Sequence, residues 1–579
     1  GLGLDWQVDF RTGDTTTSRR KTQLKKPPHI LITTPESLHL LLASKGYTRY
    51  FSQLKVLVAD EWHELMGNKR GVMLELALSR LYGFLPNLRT WGISATIGNM
   101  EEAMAVLFGS RSYPSAPVLV RARHTKIIQM HTILPDEVET FPWAGHLGIS
   151  LLPKVVPIIM EGQSTLIFTN TRAQCEIWYQ RLLEVVPDLA GQLAMHHGSL
   201  DRKLRDWVEN ALHEGTLKAV VCTSSLDLGV DFRPVEKIIQ VGSPKGVARF
   251  LQRAGRSGHQ PGAPSTIYFV PTHSLEIFEG AALRQATREQ ALERRVPYIR
   301  SFDVLVQYLI TLALSEGFRP AEVLAEIRST FSFASVTEAE WSWCLQFITT
   351  GGSSLGAYDE YRKVEVEDGL YKVNSRRVAL RHRLSIGAIV SDTTLRVKYL
   401  KGAYLGNIEE WFVAQLEKGD TFWFAGRSLA LVRVKDMTVY VRRSKAKKGR
   451  VPSWMGGRLQ LSSRLGDLLR RQIAASLTNS SEPELQALQP LLEMQQRRSI
   501  VPRQDELLIE YFKDREGYHL LVYPFEGYYV HEGLANLLAY RLGQRLPITF
   551  SIAMNDYGFE LLSDQDIPIR EAIAEGLFC

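Results

Sequence analysis

Two carboxylates stand side by side in Lys55-Val56-Leu57-Val58-Ala59-Asp60-Glu61-Trp62-His63, after an almost wholly apolar run, and a histidine follows. A short run of this kind suits a strand of a parallel sheet, covered on both faces. Ligands of open α/β sheets gather at the carboxyl ends of strands, where Asp60 and Glu61 would emerge. Adjacent acids there can hold magnesium on nucleotide phosphates and orient a water for attack. The same pair also suits an ordinary helix N-terminus, where acidic side chains oppose the helix dipole. The rest of the chain has to decide between them.

Other residues carry possible chemistry in a fixed order. Thr90 to Gly98 is a strand that breaks into Ser94-Ala95-Thr96, one crossover after the acids. Thr34-Pro35 begins a helical stretch, where a hydroxyl and free amides suit either a phosphate contact or a helix cap. Ser164 to Arg172 is a strand running into a polar turn, and the strand Leu217 to Cys222 leads into Thr223-Ser224-Ser225-Leu226-Asp227-Leu228-Gly229-Val230-Asp231. A helix then carries Gln252-Arg253-Ala254-Gly255-Arg256-Ser257-Gly258-His259. Two arginines framing Ala-Gly suit a guanidinium clamp on phosphate, or else a solvated helix face. His196-His197 has no third ligand nearby and argues against a metal site. Near the end of a β-rich stretch, Arg442, Arg443, Lys445 and Lys447 precede Trp454. Cations for phosphates and an indole for a base would suit a single strand; the alternative is a solvated loop with the tryptophan packed.

The bulk of the chain is compatible with this chemistry. At 579 residues it is too long for one core, and 45% hydrophobic with 23% charged residues is ordinary for globular protein. No run approaches a membrane span and no signal-peptide pattern opens the sequence. The four cysteines, Cys175, Cys222, Cys344 and Cys579, lie far apart, against zinc or a disulfide framework and in keeping with a reducing cytoplasm. A net charge of +7 permits a polyanionic partner.

The elements that must position these residues fall into four segments. Residues 1–116 and 117–275 read as successive α/β units. Residues 276–375 turn helical (Leu283–Glu293, Phe302–Ser315, Pro320–Ser329, Val336–Ile348) and end in two strands, Glu360 to Glu365 and Gly369 to Val373, a winged-helix pattern. Residues 376–579 read as mixed α+β: a small β-barrel whose strands include Glu409-Glu410-Trp411-Phe412, then helices, then strands near Tyr518–Tyr523 and Pro547–Ala553.

In this order the motifs resemble the motor of superfamily 2 helicases. Asp60-Glu61-Trp62-His63 is similar to motif II in its DExH form, and Ser94-Ala95-Thr96 to motif III. Residues 166–172, 223–231 and 252–259 are similar to motifs IV, V and VI. Thr33-Thr34-Pro35-Glu36-Ser37-Leu38, Gly71, His196-His197-Gly198-Ser199-Leu200 and Trp454-Met455-Gly456-Gly457 narrow the likeness to the large helicase-related (Lhr) family. Within it the chain resembles bacterial DExH helicases associated with a DNA ligase.

The resemblance implies an α/β fold of two RecA-like lobes, the first incomplete, then a winged helix and the mixed domain. It implies ATP and Mg2+ as cofactors, with Asp60 holding the metal through water and Glu61 polarising the attacking water. His63 would couple motif II to motif III, Gln252 would orient the water, and Arg256 would be the arginine finger, assisted by Arg253. Gly229 and Asp231 would lie at the nucleotide. Thr34 with Pro35, Thr169 with Arg172, and Thr223 would grip the backbone of single-stranded DNA. The family implies 3′ to 5′ translocation, tolerance of an RNA–DNA hybrid, DNA repair in the cytoplasm, and association with a ligase and a nuclease, with no membrane.

One departure stands out. The pattern G-x-x-x-x-G-K-[ST] is missing and the dipeptide Gly-Lys occurs nowhere in the 579 residues. The expectation is a chain truncated at both ends that alone hydrolyses ATP negligibly. An ATP-independent nucleic-acid-binding module and a remodelling translocase that does not unwind are the alternatives.

Overall fold

A computed structural model describes residues 5–578 except 96, 112–115, 122–126, 137–147, 228–234, 259–263, 352–361, 388–393, 401, 447–448, 453–458 and 479. The chain forms two compact units, residues 1–121 with 294–390, and residues 122–293 with 391–579. The first α/β segment thus shares a unit with the winged helix, and the second with the C-terminal part. Among the described residues no helix is long and apolar enough to cross a membrane.

In the first unit, strands β1 (Val8–Arg11) and β2 (Ile30–Thr33) pair in parallel, as do β3 (Val56–Ala59) and β4 (Arg89–Gly92). The crossover from β3 to β4 contains the helix Lys69–Phe84, which is apolar nearly all round because it serves two cores. Leu74, Ala77, Leu78 and Leu81 face the lobe core, whereas Val72, Met73 and Leu76 join Leu305, Tyr308 and Leu309 of the winged helix. Gly71 lets this helix pass the short helix Trp62–Met66: a Cβ there would stand 2.3 Å from the Leu65 carbonyl oxygen.

The winged helix consists of the helices Phe302–Leu314, Pro320–Arg328 and Glu338–Thr350 with the hairpin β11 (Glu365–Glu367)–β12 (Leu370–Lys372). Its first strand starts at Glu365, where the sequence reading expected it to end, because the reversal sits at Asp368-Gly369, both with positive φ. A helix at Arg376–Ser385, not anticipated from sequence, follows the hairpin.

In the second unit, six parallel strands are ordered β5 (Ile128–Thr132), β10 (Ser265–Val270), β9 (Lys237–Val241), β6 (Thr165–Phe168), β8 (Ala219–Cys222), β7 (Leu193–His196). Past β10 runs the single helix Ser274–Glu289, longer than the expected Leu283–Glu293, which packs on the C-terminal helix Ser463–Ala475. The expected barrel is a mixed five-stranded sheet ordered β14 (Tyr404–Glu409), β13 (Thr394–Tyr399), β17 (Thr438–Arg443), β16 (Arg427–Lys435), β15 (Thr421–Phe424). Of Glu409 to Phe412, expected as a strand, only Glu409 ends β14; Glu410–Ala414 is a helix that lays Phe412 and Val413 on the sheet's core. The buried carboxylate of Glu176 accepts hydrogen bonds from the amides of Ala425 (2.7 Å) and Gly426 (2.9 Å), tying the β15–β16 turn to the parallel-sheet lobe. A four-stranded antiparallel sheet, β18 (Leu508–Lys513), β19 (Tyr518–Tyr523), β21 (Phe559–Ser563), β20 (Ser551–Met554), is followed by the helix Ile569–Ala574.

One buried carboxyl joins lobe and winged helix inside the first unit. Glu75 accepts from the Ser332 amide (2.9 Å) and hydroxyl (2.6 Å), and burial pushes its pKa up to about 7. The folded chain therefore keeps a proton that the unfolded chain releases near pH 4.5, and the stabilisation is lost as pH rises through about 7. Between pH 5 and pH 8 the wild type should lose on the order of 3 kcal/mol relative to Glu75→Gln. Melting temperatures of the two across that range check this, and a pH-independent difference would contradict it.

Candidate functional site

The motif II turn is built by an abrupt strand end. After Ala59, Glu61 adopts a left-handed conformation (φ 48°) and Asp60 Oδ1 accepts from the Glu61 amide at 2.9 Å. Two backbone bonds lock the turn against β4: the Ile93 amide donates to Ala59 O and the Trp62 amide to Ile93 O, each at 2.9 Å. Trp62 is buried and its indole N–H donates to Ala103 O at 2.9 Å, so the tryptophan is an anchor. The result presents Asp60 to solvent and leaves Glu61 half-buried beside it. Non-glycine residues rarely adopt positive φ, and the strain is placed at the position read as the water-polarising acid.

His63 is wholly buried, and burial pushes its pKa down, with Glu64 opposing. Its Nδ1 lies 3.2 Å from Ser94 Oγ and 3.5 Å from Glu61 Oε2, and Nε2 lies 3.6 Å from Glu64. The structure thus brings motif II and Ser94 of motif III into hydrogen-bond contact through the histidine. Thr96 lies outside the described residues. Thr34 caps the helix Pro35–Leu42, its hydroxyl accepting from the Ser37 amide at 3.3 Å.

In the second unit, the predicted residues gather at carboxyl ends of the parallel strands. Thr169 follows β6, and its buried hydroxyl donates to Cys222 O at 3.1 Å. Arg172 opens the next helix, capped by Thr171, and Thr223 follows β8 with its hydroxyl 3.4 Å from Ser225 Oγ. His196 meets Ser225 (2.8 Å) and Glu209 (3.1 Å), and burial lowers its pKa to about 4, while His197 lies 3.3 Å from Glu176. Gly229, Asp231, His259, Lys447 and Trp454 lie outside the described residues. Arg442, Arg443 and Lys445 are exposed at the end of β17 and just beyond it, with Arg443 Nε 3.5 Å from the Tyr399 hydroxyl.

The motif VI helix Val247–Ala254 is held by charge at both ends. Its N-terminus has Gly246 as cap, with no side-chain cap of its own. Instead the buried Glu293 carboxylate accepts from the amides of Val247 and Ala248 (2.7 Å to the latter) and from the Ser462 hydroxyl at 3.0 Å. Nothing in the sequence marked Glu293, which lies 45 positions beyond Ala248. Farther along, Arg253 is fully buried and makes a two-pronged pair with Asp227 (2.8 and 3.1 Å), donates to Gln240 Oε1 (2.7 Å) and stacks over Phe168. Arg256 is half-buried and donates to the Asp227 carbonyl at 2.7 Å from Nη2. Gln252 is half-buried one position before Arg253. Asp227, which sequence reading placed inside motif V without a role, ties motif V to motif VI.

Removing one partner of a buried ion pair strands the other charge, at a cost of about 3–5 kcal/mol. Arg253→Ala should therefore lower the denaturation midpoint strongly, whereas Arg253→Leu combined with Asp227→Leu should recover part of the loss. Denaturant titration of single and double variants checks it; strictly additive losses would contradict the pairing.

Comparison with known proteins supplies the family. The family model described as "DEAD/DEAH box helicase" matches residues 2–103, and "Helicase conserved C-terminal domain" matches 149–260. "Large helicase-related protein, winged helix domain" matches 285–451, and "DEAD/H associated" matches 501–578. Among curated relatives, an ATP-dependent helicase Lhr-Core from Methanothermobacter thermautotrophicus is 30% identical, covering 99% of this chain and 69% of its own. One from Methanocaldococcus jannaschii is 29% identical over 100% of this chain and 69% of its own. The structure of Mycobacterium smegmatis helicase Lhr bound to ssDNA and AMP-PNP shares the fold, with a TM-score of 0.75 at 24% identity over 96% of this chain and 70% of that one. With a DExH turn wired to motif III, a motif VI helix pinned to motif V, and these matches along its length, the chain belongs to the Lhr family of helicases.

Proposed function

We propose that this chain is the strand-tracking core of an ATP-dependent DNA helicase or translocase that moves 3′ to 5′ on single-stranded DNA, tolerates an RNA–DNA hybrid and serves DNA repair in the cytoplasm, in association with a ligase and a nuclease. The observation that carries the reading is the motif II turn, with Asp60 and Glu61 side by side at a strand end and His63 hydrogen-bonded to Ser94. The Lhr-Core relatives named as ATP-dependent helicases, and the related structure bound to ssDNA and AMP-PNP, support it.

The donor set fits magnesium and ATP. Asp60 is an exposed carboxylate offering hard oxygen ligands, suited to a metal that keeps most of its waters. Magnesium, when bound, would neutralise phosphate charge. Glu61 would orient the attacking water and accept its proton, and the hydrogen bond from His63 to Ser94 would pass its position to motif III. Arg256, held by the Asp227 carbonyl, would meet charge developing on the γ-phosphate, while Arg253 fixes Asp227 through its carboxylate. Gln252 would align the water; Gly229 and Asp231 would border the nucleotide. Thr34 with Pro35, Thr169 with Arg172, and Thr223, joined by Arg442, Arg443, Lys445, Lys447 and Trp454, would contact the strand without reading its sequence.

The missing Gly-Lys dipeptide favours a second reading, an ATP-independent nucleic-acid-binding module; a translocase that does not unwind is the third. The polypeptide of residues 1–579 by itself should bind single-stranded DNA yet release no phosphate from Mg-ATP, with or without DNA. Phosphate release and fluorescence anisotropy check both halves. Clear turnover by this polypeptide would contradict the dependence on a phosphate loop, and failure to bind DNA would contradict the strand-tracking role.

A further inference from the structure

The winged helix has its charges in an unexpected place. Its third helix, Glu338–Thr350, opens with Glu338 and Glu340 and contains no basic residue. The hairpin β11–β12 exposes Glu365, Glu367 and Asp368. The third helix, its Glu338 paired with Arg328 and its Glu340 with Arg300, thus brings no cation of its own to nucleic acid, and the wing, where Lys372 approaches Glu367, exposes mainly carboxylates.

The helix Arg376–Ser385 beyond the hairpin is the reverse. Its inner face is fixed: His382 is buried with Nε2 2.9 Å from Thr311 Oγ1, and Ala379 and Ile386 pack on the winged-helix core. Gln307 secures the exit by donating to Ser385 O (3.2 Å) and accepting from the Gly387 amide (3.1 Å). Its outer face carries exposed Arg376, Arg377, Arg381 and Arg383 with Leu380 and Leu384 between them. The helix contains no acidic residue. Among the described residues none of these four arginines makes an ion pair, and only Arg383 spends a donor on the fold, to Ala43 O at 3.3 Å. Next to the helix, burial and then repulsion from Arg381 push the Lys363 ammonium pKa down, so the charge of the patch rests on the arginines.

We propose that the outer face of the Arg376–Ser385 helix is a docking site for the sugar–phosphate backbone of double-stranded nucleic acid, deepening the reading above. Among the described residues the helix itself offers no exposed aromatic ring on which an unpaired base could stack, which is what single-strand grooves use. Arg376 to Arg383 spans about 10 Å of helix, the axial run of about three phosphates along one strand. The leucines would lie against sugar faces between the guanidinium contacts. A rigid helix, backed by His382 and Gln307, presents the charges together.

The test is anisotropy of the full chain with a blunt duplex and with single-stranded DNA across a salt series. Arg376→Ala/Arg377→Ala/Arg381→Ala should weaken duplex binding at least tenfold and reduce the salt slope by about 2–3, at roughly 0.9 per phosphate contact. Single-strand affinity should stay within about twofold, and the corresponding triple lysine variant should restore most duplex binding, because the charges return. Unchanged duplex affinity and slope, or an equal loss on single strands, would overturn the proposal. So would competition by polyglutamate as effective as by duplex, which would assign the face to an acidic protein. Wild-type chain that binds single strands but not duplex overturns this proposal alone; binding neither overturns the strand-tracking reading as well.

Discussion

A parallel strand has to bury both faces, and in this chain that requirement decides where chemistry can emerge. In the second unit every residue of β6, β7, β8 and β9 is buried, so polar groups within them, such as Gln240 and Lys237, are taken up by partners and open polar positions come where those strands stop. Thr169, His197 and Thr223 each lie directly after such a strand. In the first unit the requirement is met on one side: β3 buries Ala59 and half-buries Leu57 while Val56 and Val58 remain exposed, and Ile30, Ile32 and Trp91 are exposed likewise. The motif II turn nonetheless forms, because it is locked by backbone bonds to Ile93 and by the buried Trp62, none of which needs the open face.

Buried charge does in the second unit what backbone bonding does in the first. Asp227 is the node, its carboxylate taken by Arg253 and its carbonyl by Arg256. Glu293 and Ser462 then fix the other end of the same helix, so segments far apart in sequence hold the arginines of motif VI. Lys245, just before the Gly246 cap of that helix and with φ 62°, is enclosed by Glu279, Asp556 and Tyr557. Buried ion pairs of this kind are poor sources of net stability, and their value here is geometric: each allows one arrangement.

Much of this was legible from the sequence where a local rule applied. Apolar runs ending in Asp60-Glu61, Thr169 and Thr223 gave the strand ends directly, and the order of motifs gave the family. Local rules failed where tertiary partners decide. Glu410 to Ala414 has β-favouring Trp411, Phe412 and Val413, yet the sheet needs a corner there, and a helix turns it. The Arg376–Ser385 helix was hidden because its buried face is only Ala379, His382 and Ile386, too polar a stripe for periodicity to register. Glu293 as a distant cap and Asp227 as a node have no sequence signal, since each is defined by a backbone or guanidinium brought to it from elsewhere. Thr34 shows the opposite case, in which the humble cap reading is realised in full.

The central claim is that Asp60 and Glu61 serve nucleotide hydrolysis rather than merely ending a strand. It is tested most directly by ATP turnover, with and without single-stranded DNA, on a polypeptide that joins this chain to a phosphate-binding loop, wild type against Glu61→Gln. The account predicts DNA-stimulated turnover in the wild type, lost by a factor of about a hundred or more in the variant while single-strand affinity is unchanged. Turnover retained in Glu61→Gln, or absent in both, would contradict it.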